Sequence, residues 1–231
     1  MEKVAFIGSY DKADLINYVA KILTIMGKKV IVVDATTLQK TRYIIPKMTP
    51  EVQYITTFEN IDIAVGFENF EQIKKYKQDN GESAELNYDY ALMNIDSYKG
   101  YSNFKMKTEE KNFFITSFDV YCLRRGLQVF KKMETPIKVQ KILFSKDMLP
   151  EEDQYLNYLS KGLNIKWNDD IIFFPFERGD QTALFTNQRS ERIQVRGMST
   201  QYIDGILYIA EEISGAKQSE IKKAGKILER I

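Results

Sequence analysis

The chain contains no histidine. That one absence removes the Ser-His-Asp and Cys-His mechanisms and the usual zinc sites together. It contains a single cysteine, Cys122, so no disulfide can close within it, which fits a reducing compartment. Neither sign of charge is in excess, with 33 Lys and Arg against 32 Asp and Glu. A whole-molecule pull toward nucleic acid or anionic lipid is therefore not indicated, although a local patch remains open. No apolar run approaches the roughly 20 residues that span a bilayer. The opening "MEKVAFIGSY" lacks the basic region and apolar run of a signal peptide, so the expected location is cytoplasmic.

What is present is an ordinary globular composition: 231 residues, 44% hydrophobic and 28% charged. That length suits one large domain with a substantial core. Short apolar runs alternate with longer amphipathic ones. "VAFIG" (4–8), "KVIVVD" (29–34), "IDIAVGF" (61–67), "YDYALMNID" (88–96), "KNFFITSFD" (111–119), "IKVQKILFSKD" (137–147) and "DIIFFPF" (170–176) read as strands. Helices are expected over 14–27, 68–81, 120–133, 150–164, 199–215 and 217–231. Ser199 is a plausible cap, and Gly27 a stop. Residues 36–53, with Pro46 and Pro50, read as an irregular excursion.

Strands apolar on both faces and separated by helices predict an α/β fold, a mostly parallel twisted sheet with helices on both faces. Ligand sites in such sheets lie beyond the C-terminal strand ends. The segments to read for function are then "GSYDK", "DATT", "DSYKG", "SFD", "SKD" and "ERGDQT". A phosphate-cradling loop needs glycines that turn backbone N–H groups inward, a lysine at the helix start and a following hydroxyl for magnesium. "GSYDKAD" has one glycine and a lysine, and it lacks the hydroxyl. On its own it reads as an ordinary strand-to-helix turn.

In register with "GKKVIVVDAT", the stretch resembles the ParA/MinD family of deviant P-loop ATPases, whose loop is K-G-G-x-G-K-T-T. Counting back from Gly27, Lys12 falls on the loop lysine, Gly8 on a glycine and Ser9 on the next glycine position. Asp11 replaces the glycine before the lysine. Ala13 replaces the magnesium-binding threonine, Asp14 the threonine after it, and Ile7 the signature lysine. Asp34 sits at the family's aspartate after the second strand. "YDYALMNID" is similar to its Walker B strand, with Asp96 as the terminal acid, and "FFPFERGDQTALFTNQ" to its late segment near the base and dimer face. The resemblance implies a P-loop NTPase three-layer sandwich, with an α/β domain over 1–215 and a charged C-terminal helix over 216–231. It implies Gly8, Ser9, Lys12, Asp34 and Asp96 as nucleotide-binding positions, with ATP and magnesium as ligands.

The departures all act against that chemistry. A carboxylate at position 11 would repel phosphates by a few kcal/mol in a partly dry pocket. Ala13 cannot hold magnesium, and Ile7 removes a cation that would offset developing charge. No catalytic residue is assigned. The implied role is a degenerate scaffold or positioning factor for a bacterial assembly (pilus or secretion of the CpaE/TadZ type, partition or division), with ATP hydrolysis weak or lost. The alternative is an active or nucleotide-sensing ATPase. Each acid also has a plain structural reading, as a cap or a solvated group, and Lys12 as a first-turn lysine.

Partners are expected to be proteins, a homodimer among them. Arg189, Arg192 and Arg196 form either a weak nucleic-acid patch or a solvated segment. The last helix carries Ile221, Ala224, Leu228 and Ile231 at helical spacing, without Phe or Trp. Packing onto the domain is expected over a peripheral membrane anchor. Tyr10, Tyr98 and Tyr101 are candidates for a protein-binding face, and Cys122 for a buried, inert thiol.

Overall fold

Val4, Ala5, Phe6 and Ile7 are all buried, so the first strand is covered on both faces. That strand, β1 (Glu2–Ile7), lies in the interior of an eight-stranded sheet. The computed structural model describes residues 1–45, 52–145 and 149–230. Pro46, Pro50, the end of "SKD" and Ile231 fall outside the described residues.

After β1 come α1 (Ala13–Ile25), β2 (Val30–Asp34), α2 (Thr41–Ile44), β3 (Tyr54–Phe58), β4 (Ile61–Val65), α3 (Phe70–Asp79) and β5 (Tyr90–Ile95). There follow α4 (Tyr98–Asn103), β6 (Lys111–Ser117), α5 (Val120–Leu127), a 3-10 turn (Gln128–Lys132) and β7 (Ile137–Phe144). The described chain ends with α6 (Pro150–Leu159), β8 (Ile165–Phe174), α7 (Arg178–Ser190), α8 (Thr200–Ser214) and α9 (Gln218–Leu228). Strand order is β3-β4-β2-β5-β1-β6-β7-β8, with every pairing parallel except β3 with β4.

The period of two sorts the strand residues into two cores. Val4, Phe6, Val32 and Leu92 face one cluster, filled by α1, α8 and α9 through Leu15, Ile22, Ile206, Ile209 and Ile221. Ala5, Ile7, Val33 and Met93 face the other, filled from α3, α4, α5 and α6 through Ile73, Tyr101, Leu123 and Leu156. The result is the expected three-layer sandwich, a mostly parallel α/β sheet with helices on both faces.

The excursion over 36–53 gives way to β3, an antiparallel edge strand that the sequence pattern did not indicate. Its turn onto β4 uses Glu59 and Asn60, both at positive φ (53° and 66°), the geometry of a two-residue hairpin. The helix expected over 120–133 divides into α5 and the 3-10 turn. The last strand is longer than "DIIFFPF", starting at Ile165. Helix α8 matches its caps, with Ser199 accepting from the Tyr202 N–H at 3.1 Å and Gly215 left-handed. Helix α9 buries Ile221, Ala224, Gly225 and Leu228, so its apolar stripe joins the first core.

Candidate functional site

The strand-to-helix loop after β1 starts from a backbone requirement. Gly8 has φ +143°, and a Cβ there would lie 2.1 Å from the Ile115 carbonyl oxygen. The loop therefore runs hard against β6, and only glycine fits. The Gly8 N–H still donates to the Ile95 carbonyl at 3.0 Å, so the β1–β5 ladder continues into the loop. Ile7 is wholly buried in the second core, as an ordinary strand residue.

Lys12 caps α1 and is 3% exposed. Its ammonium donates to the Gly8 carbonyl at 2.6 Å, bridging the two ends of the loop. Burial lowers its pKa to about 8, opposed by the charges of Asp96, Asp34 and Asp11. The buried location answers one sequence alternative: Lys12 is not a solvated first-turn lysine.

Asp11 is turned onto its own surroundings. One carboxylate oxygen lies 3.4 Å from the Ala13 N–H at the start of α1, and the other pairs with Lys40 from the loop after β2. An anion thus already stands at the helix N-terminus, where a phosphate would be drawn. Ser9 Oγ is buried without a partner. Tyr10 stacks on Phe144 with ring centroids 4.6 Å apart, and burial together with Asp11 raises its hydroxyl pKa.

The two strand-end acids are both hydrogen-bonded to the segment after β2. Asp34 is wholly buried and accepts from the Thr36 N–H at 3.0 Å, the Thr36 hydroxyl at 2.6 Å and the Thr41 N–H at 3.0 Å. It closes the loop after β2 and caps α2. Asp96 accepts the Thr37 N–H with both oxygens, at 2.9 and 3.0 Å, and the Thr37 hydroxyl at 3.1 Å. It pins that same loop from β5. A magnesium ion on either acid would displace these donors, each such charge-assisted bond contributing about 1.5–3 kcal/mol. Among the described residues no group of three or more Cys, Asp or Glu is placed to hold a metal.

The site residues named from sequence do come together at one end of the sheet. Asp96, Asp34 and Asp11 each lie close enough to Lys12 for their charges to oppose the effect of its burial. Beside them a cleft of about 240 Å³ opens between the loops after β2 and β5, lined by Thr36, Thr37, Gln39, Ser97 and Lys99. The largest of the described cavities, about 680 Å³, sits at the opposite end around Val30, Asp62 and Tyr88. It lies at the strand starts, away from the switch-point loops where such sheets bind ligands.

One sequence expectation needs revision here. Tyr101 is buried, with its hydroxyl donating to the Lys107 carbonyl, Tyr98 packs on the second core and Tyr10 stacks inward. They do not form an exposed face. The exposed apolar residues at the loop end are instead Leu38, Tyr43, Val120, Tyr121 and Phe176. Arg189, Arg192 and Arg196 are exposed, on and just after a helix, α7, that the sequence pattern did not indicate. Cys122 is buried as expected, its thiol pushed up to about 11 by burial and by Asp119.

A tight glycine turn after the first strand, an acid at the end of the second and another after the fifth stand on a mostly parallel eight-stranded sheet, the fold that ParA and MinD structures share. Comparison with solved structures agrees. A chain of the MinC:MinD cell division protein complex of Aquifex aeolicus superposes with a TM-score of 0.60 at 16% identity, covering 94% of this chain and 97% of that one. The ParA family ATPase of Chlorobium tepidum gives 0.57 at 16% identity, covering 90% and 97%. A plasmid partition protein of Borrelia burgdorferi bound to AMPPNP gives 0.53 at 13% identity, covering 91% and 98%. At these identities the likeness is one of fold. No protein-family model matches the sequence, and no curated protein matches it.

Proposed function

We propose that this chain is a ParA/MinD-like scaffold that positions or organises a larger bacterial assembly, with ATP hydrolysis weak or lost. The assembly would be of the pilus or secretion, partition or division kind, and the chain a divergent member of the CpaE/TadZ sort. The observation that carries this reading is that the loop meets its own polar needs. Asp11 holds the helix N-terminus, Lys12 bonds the Gly8 carbonyl, and Asp34 and Asp96 are consumed by Thr36, Thr37 and Thr41. Ala13 offers no oxygen to a metal. Residues so placed do not fit a magnesium nucleotide.

The neighbours' roles in cell division and plasmid partition support the kind of work. The apolar side chains exposed at the loop end support protein contact there, including a dimer that forms without nucleotide. One observation favours the rival reading of a nucleotide or anion sensor. Ser9 Oγ is buried without a partner in the same loop as the buried Lys12 ammonium. Titration with labelled ATP, with and without magnesium, alongside phosphate release, separates the readings. The scaffold reading expects no turnover and no magnesium-dependent binding. Micromolar, magnesium-dependent binding with turnover that Lys12→Ala abolishes would overturn it. Binding without turnover would favour the sensor.

A further inference from the structure

Helix α7 is thirteen residues long and buries only Asp180, Ala183 and Asn187. Those three share one side at helical spacing. Asp180 accepts from the Ser199 N–H at 2.6 Å, and Asn187 donates to the Gln194 carbonyl at 2.5 Å. Gln188 donates to Asp14 at 2.7 Å, tying α7 to the first turn of α1. The inner side of the helix is therefore fixed by polar contacts to the first half of α1 and to the segment before α8.

Its outer side has no such work. Arg178, Phe185 and Arg189 are exposed and spaced seven and four residues apart, one stripe along the helix. Phe185 is 56% exposed. Arg192 and Arg196, both exposed, stand on the segment after the left-handed Glu191, which folds back along the inner side of α7, where Asn187 bonds the Gln194 carbonyl. Among the described residues none of these four arginines forms an ion pair. The exposed acids along the same segment are Glu177 and Glu191, so the surface carries a net positive charge around an aromatic centre. The end of α7 also shares a narrow crevice with Ile44 of α2.

We infer that the outer stripe of α7 is the docking surface for an acidic amphipathic segment of a partner protein. Arginine binds carboxylates with two parallel hydrogen bonds, and an exposed aromatic between arginines gives the apolar anchor that protein interfaces concentrate on. Nucleic acid would also meet the arginines, with bases stacked on Phe185, and an oligonucleotide probe separates it from an acidic peptide. The inference rests on the scaffold reading above and names its partner chemistry.

The test is fluorescence anisotropy on the full chain without nucleotide. The probe is a labelled synthetic amphipathic peptide with a leucine face rimmed by glutamates. Companion probes are the same peptide with lysine for glutamate and a single-stranded oligodeoxynucleotide. The expected result is salt-sensitive binding of the acidic peptide alone, weakened about tenfold or more by Arg178→Glu with Arg189→Glu. Phe185→Ser should weaken it as well, with thermal melts unchanged. Arg189→Glu alone supplies an independent reading should the double variant melt early. No binding of the acidic peptide, indifference to these substitutions, or preference for the oligonucleotide would overturn the inference. The ATP titration is unaffected by that outcome, so the scaffold reading stands or falls separately.

Discussion

Gly8 is the residue at which the loop can least tolerate change. Its φ is +143°, and a side chain there would put its Cβ 2.1 Å from the Ile115 carbonyl oxygen. Backbone, not a flexible side chain, would have to move. Gly8→Ala should destabilise the fold by about 3 kcal/mol or more, read as a lower urea midpoint at unchanged slope. Gly27→Ala is the control. Its φ of +81° is equally left-handed, but nothing lies within 4 Å, so the loss should be about 1 kcal/mol. Equal losses would mean that the loop gives way and that the contact with β6 is not restrictive. Gly8, Ser9, Lys12, Asp34 and Asp96 were named from the sequence through the resemblance of its first loop and strand ends, and the fold does bring their segments to one end of the sheet. Their partners were not legible there. That Asp11 faces Lys40, and that Asp96 bonds Thr37 fifty-nine positions away, depends on how the loops after β1, β2 and β5 fold over one another.

Among the elements, α1 and α7 are joined by a titratable contact. Asp14 accepts from Gln188, and burial, with the nearby charge of Asp11, raises its pKa from 3.8 to about 6, opposed by the hydrogen bond and by Lys40. A carboxyl that holds its proton more tightly when folded favours the folded state at low pH. Its contribution is complete below about pH 4 and is lost as pH rises through about 6. Asp14→Asn keeps the acceptor for Gln188 and removes the titration. The variant should gain on the wild type by on the order of 1 kcal/mol between pH 5 and 7.5, in paired urea melts. A constant difference across that range would remove Asp14 from the linkage. The elements that the sequence pattern hid share a cause. Strand β3 turns through Glu59 and Asn60, a hairpin without its usual glycine. Helix α7 buries one apolar residue, so it has no hydrophobic period to detect. Strands buried on both faces, such as β1, β2 and β5, were plain, since continuous apolar runs need no partner to be recognised.

For the molecule as a whole, the question is whether α9 is part of the domain or an appendage that could leave it. The apolar stripe expected of a peripheral anchor is the stripe that α9 buries: Ile221, Ala224 and Leu228 sit in the first core, and Gly225 packs on Leu207 of α8. Lys217, Lys222, Lys223, Lys226 and Arg230 remain outside. A lipid surface would meet those charges without an apolar face, and charge alone gives weak, salt-screened attachment. The full chain should therefore fail to sediment with anionic phospholipid vesicles at physiological salt. Deleting residues 218–231 should remove on the order of 5 kcal/mol of burial, comparable to the whole stability of a small domain. The shortened chain should then melt well below the full one and bind a hydrophobic dye through the exposed side of α1. Vesicle binding by the full chain, combined with an unchanged melt of the shortened one, would mean that α9 leaves the core at low cost. The two measurements fail independently, because detachment needs both an apolar face free to insert and a domain that stays folded without it.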